Sequence, residues 1–253
     1  MSADFSGKVA LVTGAGRGLG FAIARTILAA GGTVAVNDRS PEAVEAALAR
    51  LGGDRTIPAP ADLSDAAGPR RAVAAAVAAG RLDLLVNNAA INIENAIEDT
   101  DDDLWDRHIT VVLKAGFFTV QAALPQLRAS RGCVINIASE LGLHAIANNV
   151  AYVSAKHGLV AMTRALAIEL AATGIRVNAL CPGTMDTELM RECAAASSDP
   201  AAYYRAFEAY HPVGRIASPE EVADLVLCLA SPAAAFMTGA TIAVDGGSTA
   251  GRL

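Results

Sequence analysis

Tyr152 and Lys156 stand four residues apart in a stretch, Ala151–Ala172, whose pattern predicts a long helix, so their side chains share one face. A phenol with an ordinary pKa of about 10 is a poor acid–base catalyst at neutral pH. An ammonium group beside it favours the phenolate and is expected to lower that pKa. Ser139 closes the predicted strand Val134–Ala138, where its hydroxyl can hold a carbonyl oxygen while Tyr152 exchanges a proton. Tyr-x-x-x-Lys also arises by chance, as a half-buried tyrosine beside a surface lysine. Its weight comes from the order of a glycine loop, Ser139, Tyr152 and Lys156, and from their placement at strand ends. Ser139 has no Gly-x-Ser-x-Gly elbow around it, which argues against a serine hydrolase.

The glycine loop is Thr13-Gly14-Ala15-Gly16-Arg17-Gly18-Leu19-Gly20. It follows G-x-x-x-G-x-G through Gly14, Gly18 and Gly20 rather than G-x-G-x-x-G. Glycine permits the turn, lets backbone approach a pyrophosphate and allows close helix packing. The helix that follows offers N–H donors and the positive end of its dipole to an anion. A tight connection needs glycines too, but here the loop joins an apolar strand to an amphipathic helix, which points to a dinucleotide. Asp38 lies just past the predicted strand Val34–Val36, 24 residues after Gly14. Its carboxylate suits the hydroxyls of an adenosine ribose and repels a 2′-phosphate, favouring NAD over NADP. Arg17 and Arg39 weigh the other way, and a solvated turn residue is the plain alternative for Asp38.

These residues need a frame that brings strand ends together. Short β-rich runs alternate with Ala-rich helical stretches: strands at Val9–Val12, Val34–Val36, Thr56–Ala59, Leu82–Val86, Cys133–Ala138, Arg176–Leu180 and Ala240–Val244. Helices are expected at Leu19–Ala30, Pro41–Leu51, from Leu104 through Phe118 and onward, at Ala151–Ala172 and from about Glu220 to Ala230. The expected fold class is α/β: a single-domain, Rossmann-type, doubly wound parallel sheet with helices on both faces. One domain spans 1–253, with the dinucleotide-binding half at about 1–150 and substrate-contacting segments at about 139–150 and 184–211. Ligands in such sheets lie beyond the carboxyl ends of the strands.

Hydrophobic residues make up 53% of the 253, enough for a large core, and 20 Lys and Arg against 26 Asp and Glu leave a net charge of −6. That balance argues against nucleic acid or an anionic membrane as partner. The uncharged window Leu225–Val244 is long enough to span a bilayer but is interrupted by Ser231-Pro232 and Thr238-Gly239, so no membrane span is expected. Cys133, Cys181, Cys193 and Cys228 have no CxxC spacing, and the four histidines (108, 144, 157 and 211) form no ligand cluster. No metal is expected, and a reducing cytoplasm is the expected compartment. The opening Met1-Ser-Ala-Asp-Phe-Ser-Gly-Lys has no leader pattern. The acids of Asp99–Asp103 read as solvated helix-start charges.

Over essentially its whole length the sequence resembles the short-chain dehydrogenase/reductase family, through Thr13–Gly20, Asn87-Asn88-Ala89-Ala90, Ser139, Tyr152-x-x-x-Lys156 and Pro182-Gly183. The resemblance implies hydride transfer at nicotinamide C4 coupled to a proton through Tyr152. It also implies that Lys156 holds the nicotinamide ribose and that Ser139 polarises the substrate oxygen. Asp62 and Leu63 would flank adenine, Asn88 would line the cofactor channel, and Thr187 would contact the carboxamide. Asp245-Gly246-Gly247 is a further family-like signature, structural in character. The family also implies a homotetramer. One position departs: the family's tetrad asparagine is replaced by Val112, whose backbone carbonyl alone remains for a relay water. A cofactor-binding homologue with impaired catalysis and a regulatory or structural role is therefore the alternative to an enzyme. The aromatics of Glu188–His211 fit either a lid over substrate or ordinary packing. The substrate class is a secondary alcohol and its ketone.

Overall fold

Four- to seven-residue runs of Val, Ile, Leu and Ala build most of a single seven-stranded parallel sheet in the computed structural model, which describes residues 4–251. The strands are β1 Val9–Val12, β2 Thr33–Val36, β3 Thr56–Pro58, β4 Leu84–Asn87, β5 Cys133–Ile137, β6 Arg176–Pro182 and β7 Thr241–Val244. Their order is β3-β2-β1-β4-β5-β6-β7, so the winding direction reverses between β1 and β4. That reversal opens a crevice at the carboxyl ends of those two strands, where such sheets bind ligands.

Alternate side chains of each strand face opposite layers. Ala10, Val12, Val34, Val36, Val86 and Ile135 pack on one side, against α1 (Gly18–Ala29) and α9 (Pro219–Ala230). Val9, Leu11, Ala35, Leu85, Val134 and Val177 pack on the other, against α3 (Gly68–Val77), α5 (Ala115–Ser130) and α6 (Val150–Leu170). The remaining helices are α2 (Pro41–Leu51), α4 (Asp102–His108), α7 (Glu188–Ala196) and α8 (Pro200–Glu208). Both faces of the sheet are covered, as expected of all-parallel pairing.

Three elements differ from the sequence expectation. Helix α3 has no counterpart in the sequence expectation: its buried face is small residues (Gly68, Pro69, Ala72, Val73, Ala76), so it lacks the run of large apolar side chains that marks a core helix. The segment after Thr187, to which the sequence reading assigns no secondary structure, forms α7 and α8, the second with no buried residue. The long helix beginning near Leu104 starts at Asp102, where the Asp101 side chain accepts a hydrogen bond from the Leu104 N–H (2.8 Å). It then widens into a π-helical segment at Ile109–Lys114. Ile109, Thr110, Val111 and Val112 are consecutive β-branched residues that crowd an α-helical turn, and a wider turn relieves them. The helical run from 102 to 130 is the one among the described residues long and apolar enough to cross a membrane; α5, its second half, packs on α3. The window from Leu225 divides as expected, with α9 ending at Ala230 and β7 beginning at Thr241.

Candidate active site

Beyond β1 the chain must turn sharply into α1, and it does so at glycines. Gly14 and Gly18 adopt φ of +61° and +59°, the left-handed region open to glycine. A Cβ on Gly20 would lie 2.2 Å from the Gly14 carbonyl oxygen, so the first turn of α1 rests directly on the loop. Thr13 then ties the loop to the end of β4: its buried hydroxyl accepts from the N–H groups of Asn88 (2.9 Å) and Ala89 (3.0 Å). Asn88 closes the tie, its amide donating to the carbonyls of Thr13 (2.9 Å) and Gly14 (3.1 Å). In this state Asn88 thus holds the loop in shape.

Asp38 follows β2 and faces the same loop. One carboxylate oxygen accepts from the Gly16 N–H (3.0 Å) and the other from Arg39 (2.7 Å). A Cβ on Gly16 would meet that first oxygen at 2.5 Å, so Gly16 leaves the carboxylate room against the loop backbone. Buried Asn37 sets this end of the sheet, donating to the carbonyls of Ala59 (2.8 Å) and Ala61 (3.1 Å). Asp62 is held in a local turn by the Ser64 N–H and hydroxyl (2.8 and 2.7 Å), and those bonds lower its pKa despite partial burial. Leu63 is buried with Ala61, Ala72 and Ala115, with Ala89 packed against them. The glycine loop, Asp38 and the β3 end thus lie side by side beyond the carboxyl ends of β1, β2 and β3, with the Asp38 carboxylate against the loop backbone. That donor set and the space where side chains would intrude fit an adenine dinucleotide: Gly14, Arg17, Gly18, Leu19 and Gly20 for the diphosphate and Asp38 for the ribose.

The second half of the crevice lies beyond β5 and β6. Lys156 is buried on α6 and its Nζ donates to the Ile137 carbonyl at the end of β5 (2.7 Å). Tyr152, one turn earlier, is half-buried with its ring centroid 5.5 Å from that Nζ. Ser139 sits two residues past Ile137, its Oγ accepting from the Leu141 N–H (3.1 Å). The three residues singled out from sequence are thus brought together at one strand end.

Their electrostatics correct one expectation. The protein packed around Tyr152 pushes its phenol up to about 12, while Ser139 pulls the other way and the Glu140 charge adds to the rise. Burial also drives Lys156 down to about 7, because desolvation disfavours its charged form. Lys156 therefore does not lower the phenol in this state, because desolvation acts against both charged forms. The depressed lysine has a stability consequence. Its unfolded-state pKa of 10.5 exceeds the folded one, so the unfolded chain binds more proton between pH 7 and 10.5, and rising pH favours folding across that window. Chemical denaturation of wild type and Lys156→Met between pH 6 and 10 is expected to show wild type gaining on the variant as pH rises. A constant difference would contradict the buried, proton-poor amine.

The sequence reading assigns no individual role to Asn87, Asn136, Thr119, Thr163 or His108. Asn87 and Asn136 are paired directly across β4 and β5, the first donating to the second (2.9 Å), with Thr119 and Thr163 closing the ladder (2.7 and 2.8 Å). The one available signal was an asparagine inside each of two apolar strands. His108, fully buried, packs its ring edge-on to Tyr152 with centroids 6.3 Å apart. Its Nδ1 bonds the Leu104 carbonyl (2.8 Å), which leaves Nε2 to accept from Ile93 (3.3 Å). Val112 lies in the π segment, buried among Ala138, Ala155, Leu159, Val160 and Cys181. It packs against the neighbours of both Ser139 and Lys156, so an apolar side chain suits the site.

Pro182 ends β6, and Gly183 passes under His211, which a Cβ would meet at 2.5 Å. Thr187 caps α7, accepting from the Met190 N–H (3.3 Å), with its methyl 3.7 Å from where a Gly18 Cβ would lie. The Asp245 carboxylate accepts from Gly247 (3.0 Å), Ser248 (3.2 Å) and the Thr249 N–H (3.0 Å), a structural use of that signature. Tyr203, Phe207 and Tyr210 stack along the α8 surface, centroids 5.0 and 6.4 Å apart.

A glycine-rich strand-to-helix loop beyond β1 and a Ser–Tyr–Lys cluster beyond β5 are thus set at the carboxyl ends of one parallel sheet. A family model described as enoyl-(acyl carrier protein) reductase matches residues 14–249. The trans-4-hydroxycyclohexanecarboxylate dehydrogenase of Sinomonas cyclohexanicum is 38% identical over 254 residues, covering 97% of this chain and 94% of that protein. The meso-2,3-butanediol dehydrogenase of Serratia marcescens is 36% identical, covering 97% and 96%. The solved structure of L-sorbose reductase from Gluconobacter frateurii, complexed with NADPH and L-sorbose, superposes with a TM-score of 0.94 at 28% identity over all of both chains. The chain belongs to the short-chain dehydrogenase/reductase family, whose members work with a nicotinamide cofactor.

Proposed function

We propose that this protein interconverts a small secondary alcohol and its ketone, using NAD in preference to NADP. The observation that carries the reading is the meeting of Ser139, Tyr152 and Lys156 at the end of β5, joined by the Lys156–Ile137 hydrogen bond (2.7 Å). When bound, the nicotinamide supplies the hydride acceptor or donor. Tyr152, whose phenol burial pushes upward, is the proton donor to a ketone oxygen and the acceptor from an alcohol. Ser139 orients that oxygen. Lys156 holds the nicotinamide ribose and, on gaining a proton there, eases the ionisation of Tyr152. Asn88, Ala89, Pro182, Gly183 and Thr187 border the nicotinamide end of the crevice, and Asp62 and Leu63 border its adenine end.

The alcohol, diol and sugar chemistry in the names of the relatives supports a polar secondary alcohol as substrate. Four unbridged cysteines fit a cytoplasmic enzyme. Exposed Phe117 on α5 and Ile168 on α6 fit a homotetramer assembled through those helices.

Cofactor preference is the accessible test. Asp38 already binds the loop backbone at Gly16 with one oxygen and the Arg39 N–H with the other, and its charge opposes a 2′-phosphate. Titration of both cofactors is expected to give tighter NAD binding. Asp38→Ala is expected to narrow the NAD/NADP ratio by about tenfold or more, the scale of one charge-assisted hydrogen bond. Tighter NADP binding by the wild type would remove the assignment.

A further inference from the structure

The N-terminus of α1 already carries an anion. The Gly18 N–H donates to one carboxylate oxygen of Glu188 (2.7 Å), and Arg50 donates to the other (2.7 Å). Four residues further along the same face of α7, Glu192 pairs with Arg17 of the glycine loop (3.3 Å). Two acids so placed on a helix repel one another, yet both are turned to the loop, where the helix dipole and two arginines compensate them. Arg50 is itself fixed, its guanidinium 4.0 Å from the Phe21 ring centroid and one nitrogen 3.5 Å from the Gly16 carbonyl. The Glu188 side chain is about a third exposed, so the contact can open without unfolding the core.

We infer that Glu188 is an internal anion that competes with the cofactor diphosphate for the α1 N-terminus, latching α7 over the glycine loop until cofactor displaces it. The inference rests on the dinucleotide reading of that loop. A diphosphate at the loop needs the donor that Glu188 now holds, and would meet the like charges of Glu188 and Glu192. Cofactor entry therefore requires Glu188 to withdraw, which moves the first turn of α7 and Thr187 with it. Because α7 belongs to the segment assigned to substrate contact, cofactor binding and the shape of the substrate pocket become coupled.

The test is calorimetric titration of wild type, Glu188→Gln and Glu188→Asp with ADP, adenosine and NAD, with thermal unfolding to verify folding. Glutamine removes the charge. Aspartate keeps it on a side chain one methylene shorter, which draws the carboxylate back from Gly18. Both variants are expected to bind ADP and NAD about three- to tenfold more tightly, the scale of an anion at a helix N-terminus, with adenosine binding unchanged. Unchanged ADP affinity in both variants would overturn the latch while leaving the dinucleotide site standing. A gain in the Gln variant alone would also overturn it, reducing the effect to net charge. Failure of ADP and NAD to bind any of the three proteins would remove the dinucleotide reading itself, and the latch with it.

Discussion

Tyr152→Phe is expected to lower turnover by about 10²–10⁴-fold, the usual worth of a positioned proton donor, with cofactor affinity changed little. The substitution removes one hydroxyl and retains the ring, so the edge-on contact with His108 and the cover over Lys156 survive. Desolvation of Lys156 is preserved for the same reason. Loss of activity without loss of binding thus isolates the phenolic proton. Steady-state rates alongside cofactor titration on a variant of unchanged melting temperature make the measurement. Wild-type turnover in folded Tyr152→Phe would assign the proton step to another group.

Gly20→Ala acts on the other half of the crevice and is expected to be equally severe. Its Cβ would lie 2.2 Å from the Gly14 carbonyl oxygen and 2.6 Å from the Asn88 amide nitrogen. The first is backbone in a left-handed turn, with little freedom to retreat. Either α1 lifts from the loop or the Asn88 hydrogen bonds to Thr13 and Gly14 break, leaving buried polar groups unpaired at about 1–3 kcal/mol each. Cofactor affinity is expected to fall by about 30-fold or more, since two such losses come to about 2 kcal/mol or more and about 1.4 kcal/mol is a tenfold change. Binding within threefold of wild type would show that the loop yields cheaply.

The parts legible in the sequence were those whose chemistry dictates residue type. A tight strand-to-helix turn requires glycine, and Gly14, Gly18 and Gly20 announced it. The four-residue step from Tyr152 to Lys156 has meaning only on a helix, and α6 supplies that helix. Other features lacked a local signal. Helix α3 buries only small residues, Gly68, Pro69, Ala72, Val73 and Ala76, with no large apolar side chain to mark it. The expectation that Lys156 would lower the Tyr152 phenol treated the charge as given, whereas its presence depends on how deeply the amine is buried. Glu188 stands in the sequence only as the first residue of the segment Glu188–His211. Only the fold, by laying α7 across residues 170 positions away in sequence, turns it toward Gly18. The Val112 departure read as a lost amide, yet the pocket around it is apolar on every named side, so valine there completes the packing of the helix that carries Lys156.

The central claim is hydride transfer to and from a secondary alcohol, and the most direct measurement is the change in nicotinamide absorbance when the purified protein meets NAD and a panel of small secondary alcohols. The panel should include diols, hydroxylated ring acids and sugar alcohols. The account predicts NADH formation with at least one of them, stoichiometric with ketone, and slowed by about 10²–10⁴-fold in Tyr152→Phe. Saturable NAD binding with no hydride transfer across the panel, nor from NADH to the matching ketones, would contradict it and identify a cofactor-binding protein whose chemistry was lost with the asparagine that Val112 replaces.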